Sequence, residues 1–136
     1  MTGTVGLSAL AVGEELPPLE PGRISRTTLA LFAGASGDDN PIHIDLDVAR
    51  SAGLDDVFAH GMLSMAYLGR LLTAWVPQER IRSLSVRFVA ITPVHARPRC
   101  EGRVVAIDDG LAELAVRVAL SDGTVTLTGS ATIDIR

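Results

Sequence analysis

Alternation of apolar and polar positions dominates the second half of the chain. Leu84, Val86 and Phe88 interleave with Ser83, Ser85 and Arg87, and Leu114, Val116, Val118 and Leu120 recur at every second position. This is the period of a strand with one face on a core. Two further segments read the same way: Glu101 to Ile107, and a C-terminal run in which Val125, Leu127, Ala131 and Ile133 oppose Thr124, Thr126, Thr128 and Thr132. Asp109-Gly110 and Asp122-Gly123 separate them, and an Asp-Gly pair accepts the positive φ angles that a tight hairpin demands. The pattern predicts consecutive antiparallel hairpins.

The first half carries helical spacing instead. From Gly61 to Val76 the chain is apolar nearly all the way round, which predicts a helix with protein on every side. Upstream, Ser25 to Ser36 has a capping serine, apolar Leu29, Phe32 and Ala33 at helical intervals, and Gly37 as a stop. Asp45 caps a short second helix, Leu46 to Ala52, that ends at Gly53. Leu16-Pro17-Pro18 and Gly22 make the entry extended. One buried helix followed by an antiparallel sheet predicts an α+β domain with the sheet curled around the helix. At 136 residues, with no repeat or linker, the chain is expected to form one domain.

Composition narrows the function classes. Net charge is −4 with dispersed signs, and the aromatics are one Trp, one Tyr and three Phe, so no basic stripe or stacking platform predicts nucleic acid as a partner. All twelve basic residues are Arg, which excludes Schiff-base chemistry and a P-loop lysine. The single cysteine, Cys100, has no partner within the chain, and no basic residue precedes Arg23 to open a secretory signal. A cytoplasmic setting is the expectation. His60, Arg70 and glycines interrupt the apolar runs before the roughly 20 residues that cross a bilayer, so no membrane span is predicted.

The candidate chemistry lies in Ser36-Gly37-Asp38-Asp39-Asn40-Pro41-Ile42-His43. A carboxylate and an imidazole sit just past a predicted helix end with Pro41 between them, so they cannot share a face of one regular helix. The backbone must turn to bring them together. On residue types alone, a polar turn with a hydrogen-bonded histidine and an acid–base pair both fit.

Gly37-Asp38-x-Asn40-Pro41-Ile42-His43, preceded by Phe32 and followed by Ala49, resembles the signature of the (R)-specific enoyl-CoA hydratases and MaoC-like dehydratases. Ala59-His60-Gly61-Met62 falls where those proteins carry a His-Gly-apolar step at the start of a buried helix. The similarity runs from Val12-Gly13-Glu14-Glu15-Leu16-Pro17, through Arg26 to Val76, into Val86-Arg87-Phe88. It implies a single MaoC-like hotdog domain over residues 1–136, acting on trans-2-enoyl or (R)-3-hydroxyacyl thioesters of CoA or acyl carrier protein. No cofactor or metal is implied.

By the same resemblance, Asp38 and His43 hold one water and act as base and acid, Asn40 fixes their geometry, and the N–H of Gly61 meets the thioester oxygen. His60, Met62, Ser64, Met65 and Tyr67 are expected around the acyl group, although His60 reads better as a packed structural histidine hydrogen-bonded beneath the site, and Ser64 and Tyr67 read equally well as satisfied polar groups of the core. Arg87, with Arg82, Arg97 and Arg99, is available to carrier phosphates. Asp39 reads as a solvated turn residue. The chain departs from the family where Pro93-Val94 leads into His95-Ala96-Arg97-Pro98 instead of a Gly-Asp turn, which puts the usual entrance rim in question.

Other readings are weaker. His43-x-Asp45 with His95 mimics a two-His-one-carboxylate iron site, but the longer pattern already accounts for His43. No Gly-x-Ser-x-Gly elbow is present. A hotdog acyl-thioesterase and a hotdog subunit acting with a partner stay open as alternatives. Because a lone sheet leaves an edge strand exposed, a homodimer or higher oligomer is expected, or a heterodimer with another hotdog subunit.

Overall fold

Four strands form one antiparallel sheet in the computed structural model, which describes residues 7–136. They are β1 (Ile81–Phe88), β2 (Pro98–Asp108), β3 (Leu111–Leu120) and β4 (Val125–Asp134), in the order β1-β4-β3-β2. The predicted domain also includes residues 1–6, which lie outside the described residues. Asp109 at φ 48° and Gly110 at φ 74° turn β2 into β3, the paired positive angles that match strand twist in a two-residue hairpin. At the next turn Gly123, at φ 90°, donates its N–H to Leu120 O at 2.9 Å.

The three helices begin and end where local chemistry dictates. In α1 (Arg26–Ser36), Ser25 Oγ accepts from Thr28 N–H at 3.0 Å, and Gly37 at φ 78° closes the helix by donating to Ala33 O at 3.1 Å. Asp45 caps α2 (Leu46–Ser51) by accepting from Asp47 N–H at 2.9 Å. The central helix, α3 (Gly61–Thr73), packs against β1, β2 and β3, burying Leu63, Leu68, Leu71 and Leu72. The sheet curls around it in the hotdog arrangement.

Two details of α3 correct the sequence reading. A stripe of Met62, Ala66, Arg70 and Thr73 is exposed, because the sheet covers only part of the helix circumference. The helix also stops at Thr73 instead of Val76: Trp75 and Val76 are buried, but both N–H groups return to Leu72 O in a closing turn before Pro77. In β4, Thr126 is buried instead of outward. A register shift between Val118 and Ala119 changes the phase there, and Thr126 Oγ1 donates to Val118 O at 3.4 Å.

The sheet's two edges differ. The entry segment covers the β2 edge through bridges Glu15 to Arg103 and Leu19 to Cys100, whereas among the described residues no strand pairs with the outer edge of β1. Cys100 is wholly buried, and burial pushes its thiol up to about 12. No helix among the described residues is long and apolar enough to cross a membrane.

Arg26 ties α1 to the loop before α3 with bonds of 2.9 and 2.6 Å to Asp56, and Val57 N–H adds a third donor at 2.7 Å. The Arg26 hydrogen bond is the larger cause, the Val57 bond the second, and together they hold the Asp56 carboxyl down at about 2 against an ordinary 3.8. A depressed carboxyl contributes stability above its unfolded pKa and loses it as pH falls through the folded one, here from 3.8 towards 2. Solvent exposure keeps that contribution small. The carboxyl of Asp56 in Arg26→Gln is expected to titrate closer to 3.8 by NMR; an unmoved midpoint would assign the effect to the Val57 donor instead.

Candidate active site

The left-handed end of α1 releases the chain into Asp38-Asp39-Asn40 at the mouth of a cleft. Asn40 Oδ1 accepts from Ile42 N–H at 3.1 Å and starts a single 3₁₀ turn, Pro41–His43, with proline at its first position. That turn swings the His43 ring back towards Asp38, so that Nε2 and Oδ2 lie 3.9 Å apart. Asn40 N–H donates to the other carboxylate oxygen, Asp38 Oδ1, at 3.3 Å. The His43 side chain is 10% exposed and that of Asp38 is 50% exposed. Asp39 is exposed.

Hydrogen-bond partners assign the ring protons. His43 Nδ1 lies 2.7 Å from Phe58 O, and a carbonyl only accepts, so Nδ1 carries a proton and Nε2 is the ring nitrogen that faces Asp38. His60, which precedes α3 and is 1% exposed, places Nε2 2.9 Å from Asp38 O and is therefore the donor. Its ring stacks on His43 with centroids 4.0 Å apart, and Phe32 of α1 meets it edge-on at 5.0 Å. Burial is the main cause lowering the His60 pKa, followed by the Asp38 carbonyl bond, which opposes it. Among the described residues, two buried side-chain atoms have no hydrogen-bond partner, His60 Nδ1 and Ser64 Oγ.

Gly61 is the first residue of α3, where an N–H has no acceptor within the helix and the helix dipole favours negative charge. It lines a cleft of about 520 Å³ together with Asp38, Phe58, Met62, Phe88 and Ile91. A Cβ at Gly61 would come 2.9 Å from Phe88 Cδ1 and Cε1. Met62, Phe88, Val89 and Ile91 are all about half exposed, which makes an apolar rim.

The remaining predicted residues are distributed differently. Met62 lines the cleft, whereas Ser64 and Tyr67 face the core and Met65 packs half-buried against it. Arg87 is exposed and lies outside the cleft lining. Arg82 is engaged with Asp134 at 2.6 Å, and Arg99 with Glu20 at 3.0 Å and Glu101 at 3.4 Å. Sequence reasoning missed the wall from Val89 to Thr92; its trace was the apolar run Val89-Ala90-Ile91, where the strand alternation breaks.

Where the chain departs from the family, His95 takes φ 72° in a turn closed by Ala96 N–H to Pro93 O at 3.2 Å. Its N–H holds Ile24 O at 2.7 Å, and Arg23 donates to its Nδ1 at 2.8 Å. The iron-site trio does not assemble: Asp45 caps α2 and His95 turns to Arg23. The grouping able to offer a cation three ligand atoms is Asp38, His43 and His60, with those atoms within 4.8 Å of one another among the described residues. In that trio His60 Nε2 is already committed to a carbonyl.

A sheet curled around a central helix defines the hotdog fold, and the chain's relatives make it a hydro-lyase. The sequence profile described as MaoC like domain matches residues 9–124, and the chain belongs to the MaoC-like dehydratase family. It is 29% identical over 133 residues, covering 93% of this chain and 82% of the relative, to 3-hydroxyacyl-thioester dehydratase Z of Mycobacterium tuberculosis. It is 26% identical over 117 residues to the (R)-specific enoyl-CoA hydratase of Aeromonas caviae, covering 83% of this chain and 87% of that one. Among solved structures it is similar to a chain of the ChsH1-ChsH2 complex from Mycobacterium tuberculosis, with TM-score 0.82, 25% identity, and coverage of 93% of this chain and 98% of that one.

Proposed function

We propose that the chain catalyses the (R)-specific hydration of a trans-2-enoyl thioester, or the reverse dehydration of an (R)-3-hydroxyacyl thioester, carried on CoA or acyl carrier protein. The observation that carries this reading is the 3.9 Å gap between His43 Nε2 and Asp38 Oδ2, beside the N–H of Gly61 in an apolar cleft. The gap is too wide for a direct hydrogen bond, yet one water reaches both atoms at ordinary distances. As the water oxygen bonds to C3 of the enoyl group, its proton passes to the Asp38–His43 pair and the C2–C3 π electrons move onto the thioester oxygen. Gly61 N–H stabilises that enolate. The pair then returns a proton to C2, and the electrons collapse from the oxygen to form the C2–H bond.

Loss of conjugated enoyl absorbance on mixing the protein with short and medium trans-2-enoyl-CoA tests the reading. No loss with CoA or carrier-protein substrates from folded protein would overturn it for the lone chain. A second reading, a subunit completed by a different hotdog partner, is supported by the similarity to a chain of the ChsH1-ChsH2 complex, and the β1 edge, unpaired among the described residues, would accept a like or an unlike strand. Activity from a homogeneous homo-oligomer would remove the need for that partner.

Gly61→Ala is expected to lower kcat by about 100-fold, near the contribution of one oxyanion donor. The added methyl would come 2.9 Å from Cδ1 and Cε1 along the edge of the Phe88 ring, and because that side chain is half exposed it can give way at small cost to stability while the carbonyl is displaced. Combining it with Phe88→Ala is expected to restore part of the rate. A double variant no faster than Gly61→Ala would place the damage in the backbone instead.

A further inference from the structure

Asp38 and His43 both rest on one buried side chain to which the reaction above gives no task. We propose that His60 is a positioning residue: its Nε2–H pins the Asp38 backbone, and its ring face sets the plane of His43. The dipeptide His60-Gly61 thereby fixes the acid–base pair and the oxyanion donor in one frame. The inference rests on the hydro-lyase reading and adds to it a residue that touches neither water nor substrate.

The loop that carries Asp38 has little else to hold it. Its other bonds are local, Asp38 N–H to Ser36 Oγ at 3.1 Å and Asn40 N–H to Asp38 Oδ1 at 3.3 Å. The bond from His60 Nε2 to Asp38 O, 2.9 Å long, spans from α3 to this loop. The stack on His43, 4.0 Å between centroids and 28° between planes, continues on to Phe32, which meets the His60 ring at 67°. A one-ångström displacement of a reacting group is enough to cost about 100-fold in rate, so a clamp of this kind controls turnover.

Packing alone does not call for an imidazole here. Nδ1 is buried without a partner, an arrangement that lowers stability and that a phenyl ring would avoid. The imidazole supplies what a phenyl lacks, the Nε2–H. Protonation would bury an unpaired Nδ1–H beside the ring of His43, which disfavours the charged form. The titratable groups that face it are His43 and Asp38, and burial is the largest cause holding its pKa below the ordinary value.

Two substitutions separate donor from ring. His60→Phe keeps the stacking face and removes the N–H; it is expected to lower kcat by about 10- to 100-fold with KM within about twofold and an unchanged or raised melting temperature. His60→Gln restores a donor without the ring and is expected to recover part of that loss. Native kcat in His60→Phe, or a loss that His60→Gln does not recover at all, would overturn the proposal.

Long-range proton–nitrogen NMR on the native chain gives a readout independent of folding in the variants and of turnover. It should show a proton on His60 Nε2 with slow exchange. The tautomer protonated on Nδ1 alone would overturn the clamp, since it leaves no donor for Asp38 O. Because this holds whether or not a thioester is turned over, failure of the inference and failure of the hydro-lyase reading are distinguishable.

Discussion

Asp38→Asn and His43→Gln are each expected to lower kcat for enoyl-thioester hydration by about 100- to 10,000-fold, the range for loss of a positioned acid or base, while the protein stays folded. The geometry explains why the two effects separate. Asp38 is half exposed, and an asparagine there keeps an oxygen for Asn40 N–H, so the turn survives while the negative charge disappears. Glutamine at 43 can still donate to Phe58 O but presents no titratable ring nitrogen in the position of Nε2, and it gives up the stack on His60. His43→Gln should therefore cost more stability than Asp38→Asn at similar loss of rate. Absorbance kinetics with thermal unfolding on the same preparations check this. Near-native turnover in either folded variant would remove that residue from the chemistry.

The largest expected stability loss comes from a residue outside the cleft. Gly129 lies in the row Val86–Gly129–Val116–Gly102 across the sheet, and a Cβ there would overlap the Ser85 backbone carbonyl and sit 3.1 Å from Val86 Cα. Backbone in a paired strand cannot step aside as a side-chain tip can. Gly129→Ala is expected to destabilise the protein by about 3 kcal/mol, the upper part of the overpacking range. Gly102→Ala in the same row is the control: its Cβ would meet Leu16 Cδ2 at 3.3 Å, a methyl that can rotate, and the cost should be about 1 kcal/mol. Denaturant midpoints measure both. Equal midpoints for the two variants would show that β1 yields to the methyl as easily as the Leu16 side chain does. Because β1 ends in Phe88 at the cleft, the Gly129 variant should also lose rate before it unfolds.

What was legible in the sequence was what local chemistry decides. Ser25, Gly37 and Asp45 mark helix ends because a cap satisfies backbone groups only a few residues away. The turn between Asp38 and His43 was legible for the same reason, since Asn40 and Pro41 start it, but the pairing of the two side chains was implied only by the family resemblance. The tautomers were not legible, because they depend on Phe58 O and Asp38 O, which reach the two rings across the fold. The open stripe on α3 was hidden by its composition: Met62 and Ala66 carry no polar mark, and the curvature of the sheet decides which side stays uncovered. Thr126 was misplaced because strand alternation assumes an unbroken phase. The cleft wall past Phe88 was missed because alternation tells where a side chain points, not where a strand meets a helix.

Cys100 has a practical consequence. Its sulfur is sealed in β2 with the thiol pushed up to about 12, so at neutral pH the folded chain offers alkylating reagents almost no thiolate. The chain also has no lysine to compete for amine-reactive dyes. A Val89→Cys substitution at the half-exposed cleft rim would thus be the one labelling position that reacts, with the native sulfur left in place. A fluorophore coupled there would report filling and emptying of the cleft in real time, in a background that is chemically silent.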